Sequence, residues 1–188
     1  MHTVERDVIV GAPLERVYNQ WTQFEEFPRF MDSVTEVTQL DDRHLRWGAR
    51  ILGRDASWEA EIDRQVPDAQ IVWHTTEGRT MRGAVRFTAW NPGQTRLAVE
   101  VEYDVDGVEE AVADALGVVG REIQGGLEQF KEFVESRLAE TGTWRGEIPD
   151  EHPADLRERA EEQQREPGIS AAPGGQPVVD PRTGRISY

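Results

Sequence analysis

Apolar positions change their period twice along this chain, and each change marks a new kind of element. Residues 3 to 10 read as a strand that Gly11-Ala12-Pro13 breaks, with Pro13 suited to the first turn of a helix. Leu14, Val17, Tyr18 and Trp21 then follow the i, i+3, i+4, i+7 spacing of one helical face. Phe24, Phe27 and Phe30 continue at intervals of three around Pro28, which predicts a second short helical turn that cannot run on through the proline. From Val34 to Val105 the period falls to two. Leu45, Trp47, Ala49 and Ile51 alternate with Arg46 and Arg50, and Trp58, Ala60 and Ile62 alternate with Glu59, Glu61 and Asp63. Met81, Gly83, Val85, Phe87 and Ala89 alternate with Arg82, Arg86 and Thr88; Leu97, Val99, Val101 and Tyr103 alternate with Arg96, Glu100, Glu102 and Asp104. Including "QIVWHTT", this predicts six strands joined by turns such as "DDRH", "PDAQ" and "NPGQT", forming an antiparallel sheet with one apolar and one wet face.

The period then returns to that of a helix. Val108, Val112, Leu116, Val119, Ile123, Leu127, Phe130, Val134 and Leu138 share one face, which predicts a helix of roughly nine turns at ~3.6 residues per turn. Asp106 can cap it, Glu109 can reach back, and Gly142 supplies a stop. Past Gly146 the periodicity ends and most of the ten prolines occur. The chain therefore divides into a folded domain at 1–146 and an acidic, Pro/Gly-rich, mostly disordered tail at 147–188, in which "PADLRERAEEQQRE" forms at most a solvated helix.

Composition narrows the function classes. The formal charge is −15, and the acid excess extends over both parts, so phosphate backbones and anionic headgroups are repelled and nucleic acid is not an expected partner. With no cysteine there is neither a disulfide nor a thiolate metal site. No run approaches the ~20 apolar residues of a membrane span, and "MHTVERDVIV" lacks the pattern of a signal peptide, so a cytoplasmic protein is expected.

The order strand, two short helices, six antiparallel strands and long helix is that of an α+β helix-grip, a curved sheet of about seven strands wrapped on the C-terminal helix. "VIVGAPLERVYNQWTQFEEFPRFMDSVTEV" and "LEQFKEFVESR" resemble the opening and closing segments of the START-like (SRPBCC) superfamily, which includes polyketide cyclase/dehydrase and coenzyme-Q-binding START-domain proteins. The resemblance covers Thr3 to about Thr141. It implies an elongated apolar cavity between sheet and helix, closed at one end by the two short helices, so that Phe24, Phe27 and Phe30 either fill core or both pack and roof the cavity. The inferred wall takes Trp47, Trp58, Val85, Phe87, Val99 and Tyr103 from the sheet, and Val112, Leu116, Val119, Gly120 and Ile123 from the helix.

Gly117, Gly120, Gly125 and Gly126 bear on that cavity, because each costs ~1 kcal/mol relative to alanine inside a helix. Gly126 lies within the apolar stripe and Gly120 at its edge, while Gly125 faces away. They either leave room under the helix or permit a kink or a close contact with the sheet. "GVVGREIQGG" lacks the lysine of a phosphate loop. His2, His44 and His152 read as solvated, and no histidine pair has metal-ligand spacing, so neither metal nor cofactor is implied. His74 and Arg82 are the catalytic candidates, each conditional on pointing inward; otherwise His74 is a surface residue. Arg82, Arg86, Glu100 and Glu102 suit cross-strand charge pairs on the wet face. Tyr18, Trp47, Thr75 and Tyr103 complete the polar groups on the cavity side, a thin supply for acid-base chemistry.

Three functions remain open. The first is binding of a small hydrophobic molecule, such as a lipid, an isoprenoid quinone or a polyketide-like compound. The second is a polyketide aromatase/cyclase, and the third an assembly factor that binds a protein partner through the C-terminal tail.

Overall fold

The computed structural model describes residues 2–51, 53–78, 80–103 and 109–150, with the backbone alone at 51 and 109–116, and the backbone of 178–179 and 186–187. Seven strands, β1 (His2–Val10), β2 (Val34–Gln39), β3 (His44–Ile51), β4 (Arg54–Val66), β5 (Gln70–Glu77), β6 (Met81–Asn91) and β7 (Gln94–Tyr103), form one antiparallel sheet. Its order is β1-β7-β6-β5-β4-β3-β2, so only β1 reaches a partner distant in sequence, while every other neighbour is joined by a short turn. In the "NPGQ" turn, Pro92 supplies a fixed φ and Gly93 the positive φ of 73°. Register shifts between Glu59 and Ala60 and between Ile62 and Arg64 bend the long β4, and such irregularities curl a sheet into a half-barrel.

Alternation assigns the faces as expected. Leu45, Ala60, Ile62, Val85, Phe87, Leu97, Val99, Val101 and Tyr103 are buried, whereas Arg46, Arg82 and Arg86 are exposed. β5, whose sequence leaves its polarity open, turns Ile71 and Trp73 inward: Ile71 is buried opposite Val85, and Trp73 lies opposite Gly83. Ala89 departs from the expected pattern. It is exposed beside the register shift that ends the ladder between β6 and β7.

Helix α1 (Leu14–Trp21) and a 3₁₀ turn (Phe24–Arg29) follow β1, and the long helix α2 (Glu109–Glu135) packs on β1. The tight turn includes Pro28 and stops one residue later, a small correction to the expected break. Because α2 has 27 residues, it makes about seven and a half turns rather than nine. It ends before Leu138, which is fully exposed and takes no part in the apolar face, and well before Gly142. The physical reason lies outside α2: Arg16 of α1 donates hydrogen bonds to the carbonyls of Val134 (2.9 Å) and Arg137, satisfying acceptors that the next turn would have used. The expected cap at Asp106 and the helix face at Val108, Val112 and Leu116 lie outside the described side chains.

The compact unit continues through Asp150, past the composition change at Gly146. Ile148 is buried and exchanges both backbone hydrogen bonds with Gln65 (2.8 and 2.9 Å). A second unit, 151–188, contains one short antiparallel ladder, Val178–Val179 with Ile186–Ser187; the helix and disorder expected in the tail otherwise fall outside the described residues. No helix among the described residues is long and apolar enough to cross a membrane.

Gly125 is the one interior glycine of α2 whose added Cβ would meet nothing within 4 Å. Gly125→Ala is therefore expected to raise stability by about 0.5–1 kcal/mol, the usual helical gain, read as a higher urea midpoint.

Candidate functional site

The inner face of the sheet is not uniform. At the end covered by α1, Val10, Tyr18, Leu97 and Phe130 have no measurable exposure, and Phe87 packs edge-on against Tyr18 (5.2 Å) and Trp21 (6.3 Å). Toward the other end, Trp47, Trp58, Trp73 and Met81 keep part of their surface exposed although they belong to the apolar face. These four large side chains therefore point inward and still meet solvent, unlike the sealed end.

A continuous seam of rings joins the two ends. Phe130 contacts Trp21 (4.9 Å), Trp21 contacts Phe27 (5.1 Å), Phe27 contacts Trp47 (5.4 Å), and Trp47 stacks on Trp58 at 6.3 Å with 2° between the planes. Phe24, Phe27 and Phe30 are all buried, packing on one another and on Trp47, Phe130 and Phe133. Their rings form the core between the tight turn, β3 and α2. Of the three, Phe24 and Phe27 also reach the indole wall through Trp47.

Two of the helical glycines, Gly120 and Gly126, do not leave empty space. A Cβ at Gly120 would collide with the guanidinium of Arg6, and one at Gly126 would sit 3.3 Å from the sulfur of Met31. Arg6 occupies the inward parity of β1, between buried Val4 and Val8, and donates to the carbonyl of Glu5 (2.7 Å). Sequence reasoning missed it, although "VERDV" sets Arg6 in step with Val4 and Val8. Val119 and Ile123, the other helix residues expected in the wall, are half-buried against the core. Gly83 serves the same purpose on the sheet: its added Cβ would approach the Trp73 ring to 2.5 Å, so the indole occupies the space a side chain there would take.

Both catalytic candidates lie on the outer face. His74 is held by Asp63 through its Nδ1 (2.8 Å), and exposed Arg82 pairs in register with His74 and Glu102. Strand parity sets these directions, so neither reaches the inner face. Outer-face ion pairing includes Arg86 with Glu100 (3.0 Å) and Arg46 with Glu59 (2.6 Å). No metal-binding group of three or more His, Cys, Asp or Glu occurs among the described residues.

The inward polar groups among the described residues include His2, Arg6, Thr75, Tyr18 and Tyr103, besides buried Gln65 and Thr95, whose hydroxyl donates to the Ala12 carbonyl (2.9 Å). Thr75 is engaged with the backbone of Met81, receiving its N–H at 2.9 Å, and the Tyr18 hydroxyl accepts from Gln65 (2.9 Å). Burial raises the pKa of Tyr18, an effect only partly countered by that hydrogen bond. Tyr103 is 6% exposed, and its hydroxyl has no hydrogen-bond partner among the described residues. Burial alone raises its pKa, so it is a neutral phenol.

A separate groove of about 470 Å³ runs outside the grip, between Pro13 and Leu14 of the α1 entry and the β6–β7 turn at Trp90 to Gln94. It shares no residue with the indole wall.

This curled sheet, long helix and ring-sealed end agree with a match of residues 10–132 to the family described as "Polyketide cyclase / dehydrase and lipid transport". The chain belongs to this family. A 17.2 kDa protein of Streptomyces lincolnensis is 40% identical over 149 residues, spanning 79% of this chain and 99% of its own length. An aromatase/cyclase from a Streptomyces species superposes with a TM-score of 0.63 at 18% identity, covering 76% of this chain and 99% of that one. A START superfamily protein from Mycobacterium smegmatis does so with a TM-score of 0.57 at 18% identity, covering 69% and 99%. These likenesses establish the START-like fold.

Proposed function

We propose that this protein binds a small apolar molecule, of the lipid, isoprenoid quinone or polyketide class, between the sheet and α2. The observation that carries the reading is the partial exposure of the inward-facing Trp47, Trp58, Trp73 and Met81 beside a face otherwise closed. Burying a ligand against these side chains is favourable by about 25 cal/mol per Å² of apolar surface removed from water. Native mass spectrometry with a panel of quinones, fatty acids and aromatic polyketides tests it, with tryptophan fluorescence as the second readout. At least one class is expected to give a one-to-one adduct and to alter the emission. Neither signal with any class would overturn the reading.

Arg6 favours a second reading, a polyketide aromatase/cyclase, because it places one cation on the inner face where the expected candidates place none. Its test is turnover of a short poly-β-ketone by the purified protein, lost in Arg6→Ala. Slow, unchanged cyclisation in both chains would leave binding alone.

A further inference from the structure

We propose that the Tyr103 hydroxyl is the polar anchor of the cleft, donating a hydrogen bond to a carbonyl oxygen on a flat, oxygenated aromatic or quinonoid molecule. This inference rests on the binding reading above and names the chemistry of its occupant.

Tyr103 closes the inner face of β7 at the open end of the grip. In the ladder it stands opposite His2 on β1 and Met81 on β6. Its side chain is more than nine-tenths buried, and the hydroxyl meets no acceptor among the described residues. Phenylalanine would supply the same ring without an unpaired polar atom, and buried polar groups are nearly always paired. Thr75, another inward hydroxyl of the sheet, is already bonded to the Met81 backbone. A neutral phenol offers one donor, which suits a single carbonyl oxygen better than a carboxylate needing several donors or a cation.

The walls specify the shape. Trp47 and Trp58 stack with nearly parallel planes, and the Trp73 indole comes up against Gly83, whose missing Cβ leaves room for it beside the strand. Broad flat indoles next to a sheet favour a planar ring system over a branched chain, because offset stacking adds to burial.

A matched pair of probes separates the anchor from simple apolar binding: 2-methyl-1,4-naphthoquinone carries two carbonyls and 2-methylnaphthalene none. Dissociation constants are measured by calorimetry for the full chain and for Tyr103→Phe. The variant is expected to lose about tenfold in quinone affinity, equivalent to ~1.4 kcal/mol, while hydrocarbon affinity stays within about twofold. Thermal stability of the ligand-free variant is expected to equal or exceed that of the parent, because only an unpaired hydroxyl is removed. Equal losses for both probes, no loss for the quinone, or a lower melting temperature without ligand would each overturn the anchor. If the parent chain binds the hydrocarbon and Tyr103→Phe is indifferent throughout, the cleft stands and the anchor falls. Binding of neither probe by the parent chain would remove the cleft reading and the anchor with it.

Discussion

Ending the chain at Ala139 is expected to cost roughly 3–6 kcal/mol of stability compared with a chain ending at Asp150, the sum of the burial and hydrogen-bond losses that follow. The segment 140–150 forms no helix, yet it is fastened to α1 by a network of buried polar groups. Asn19 donates to Glu140 (3.0 Å) and accepts from Thr143 (2.7 Å) and Arg145 (2.9 Å). Gln20 donates to Thr141 (3.0 Å) and accepts from its N–H (3.0 Å), while Thr22 receives the N–H of Trp144 (3.1 Å). Arg145 adds a fork onto Asp68 at 2.5 and 3.2 Å, and Ile148 is buried against β4. Losing Ile148 removes about 1.5–3 kcal/mol of apolar burial. Asn19 and Gln20, each nearly wholly buried, lose partners worth about 1–3 kcal/mol apiece, of which entering water recovers a part. Two carboxylates take part. Burial pushes Glu26 up, but hydrogen bonds from Thr141, Gln20 and Arg29 outweigh it and hold its pKa below the ordinary range, and the Asn19 amide does the same for Glu140. Urea unfolding of the two chains measures the difference. A loss under about 1 kcal/mol, no more than a single net hydrogen bond, would mean that this segment is an ornament on an independently stable grip.

That segment is also the hardest part of the fold to read in the sequence. Strand and helix reveal themselves by repetition, and β3, β4, β6 and β7 are legible because Leu45, Ala60, Val85 and Leu97 each sit in an uninterrupted alternation. "TGTWRGEI" repeats nothing. It is ordered by side-chain partners about 120 residues away, at Asn19, Gln20 and Thr22, polar residues within or just after a helix whose apolar stripe hides their burial. The end of α2 is obscured for a related reason: Leu138 continues the heptad-like spacing, but Arg16 from another helix takes the carbonyls first. At the site, parity gives the direction of Trp47, Trp58 and Tyr103, and it also shows which face Arg82 takes. It cannot decide β5, where Ile71 and Trp73 compete with Val72 and His74 at similar hydropathy. Asp63 settles that contest by pairing with His74 on the outside. The glycines of α2 do signal room, but what fills it, Arg6 and Met31, comes from distant elements that no local pattern connects.

Phe27→Ala is the substitution that separates core from wall most directly, with an expected loss of about 3–5 kcal/mol. The ring is 3% exposed and touches four others: Trp21 at 5.1 Å, Phe24 at 5.9 Å, Phe30 at 5.1 Å and Trp47 at 5.4 Å. Its removal leaves a hole at the junction of the tight turn, α1 and β3. The backbone there has little freedom to collapse, because Pro28 fixes φ at the next residue and Phe30 and Met31 both donate their N–H groups to the Phe27 carbonyl (3.1 and 2.8 Å). Cavity cost should therefore add to the lost burial instead of being relaxed away. The effect reaches the partly exposed indoles through Trp47, which loses its edge-on neighbour on the buried side while keeping its stack on Trp58. A red shift in the emission of the folded variant is expected along with the lower urea midpoint, since the indole wall becomes wetter. A loss below about 1.5 kcal/mol, well under the usual cost of emptying a packed aromatic site, with unchanged fluorescence would show that the aromatic seam is divided at Phe27, and that the closed end of the grip and its open end are built independently.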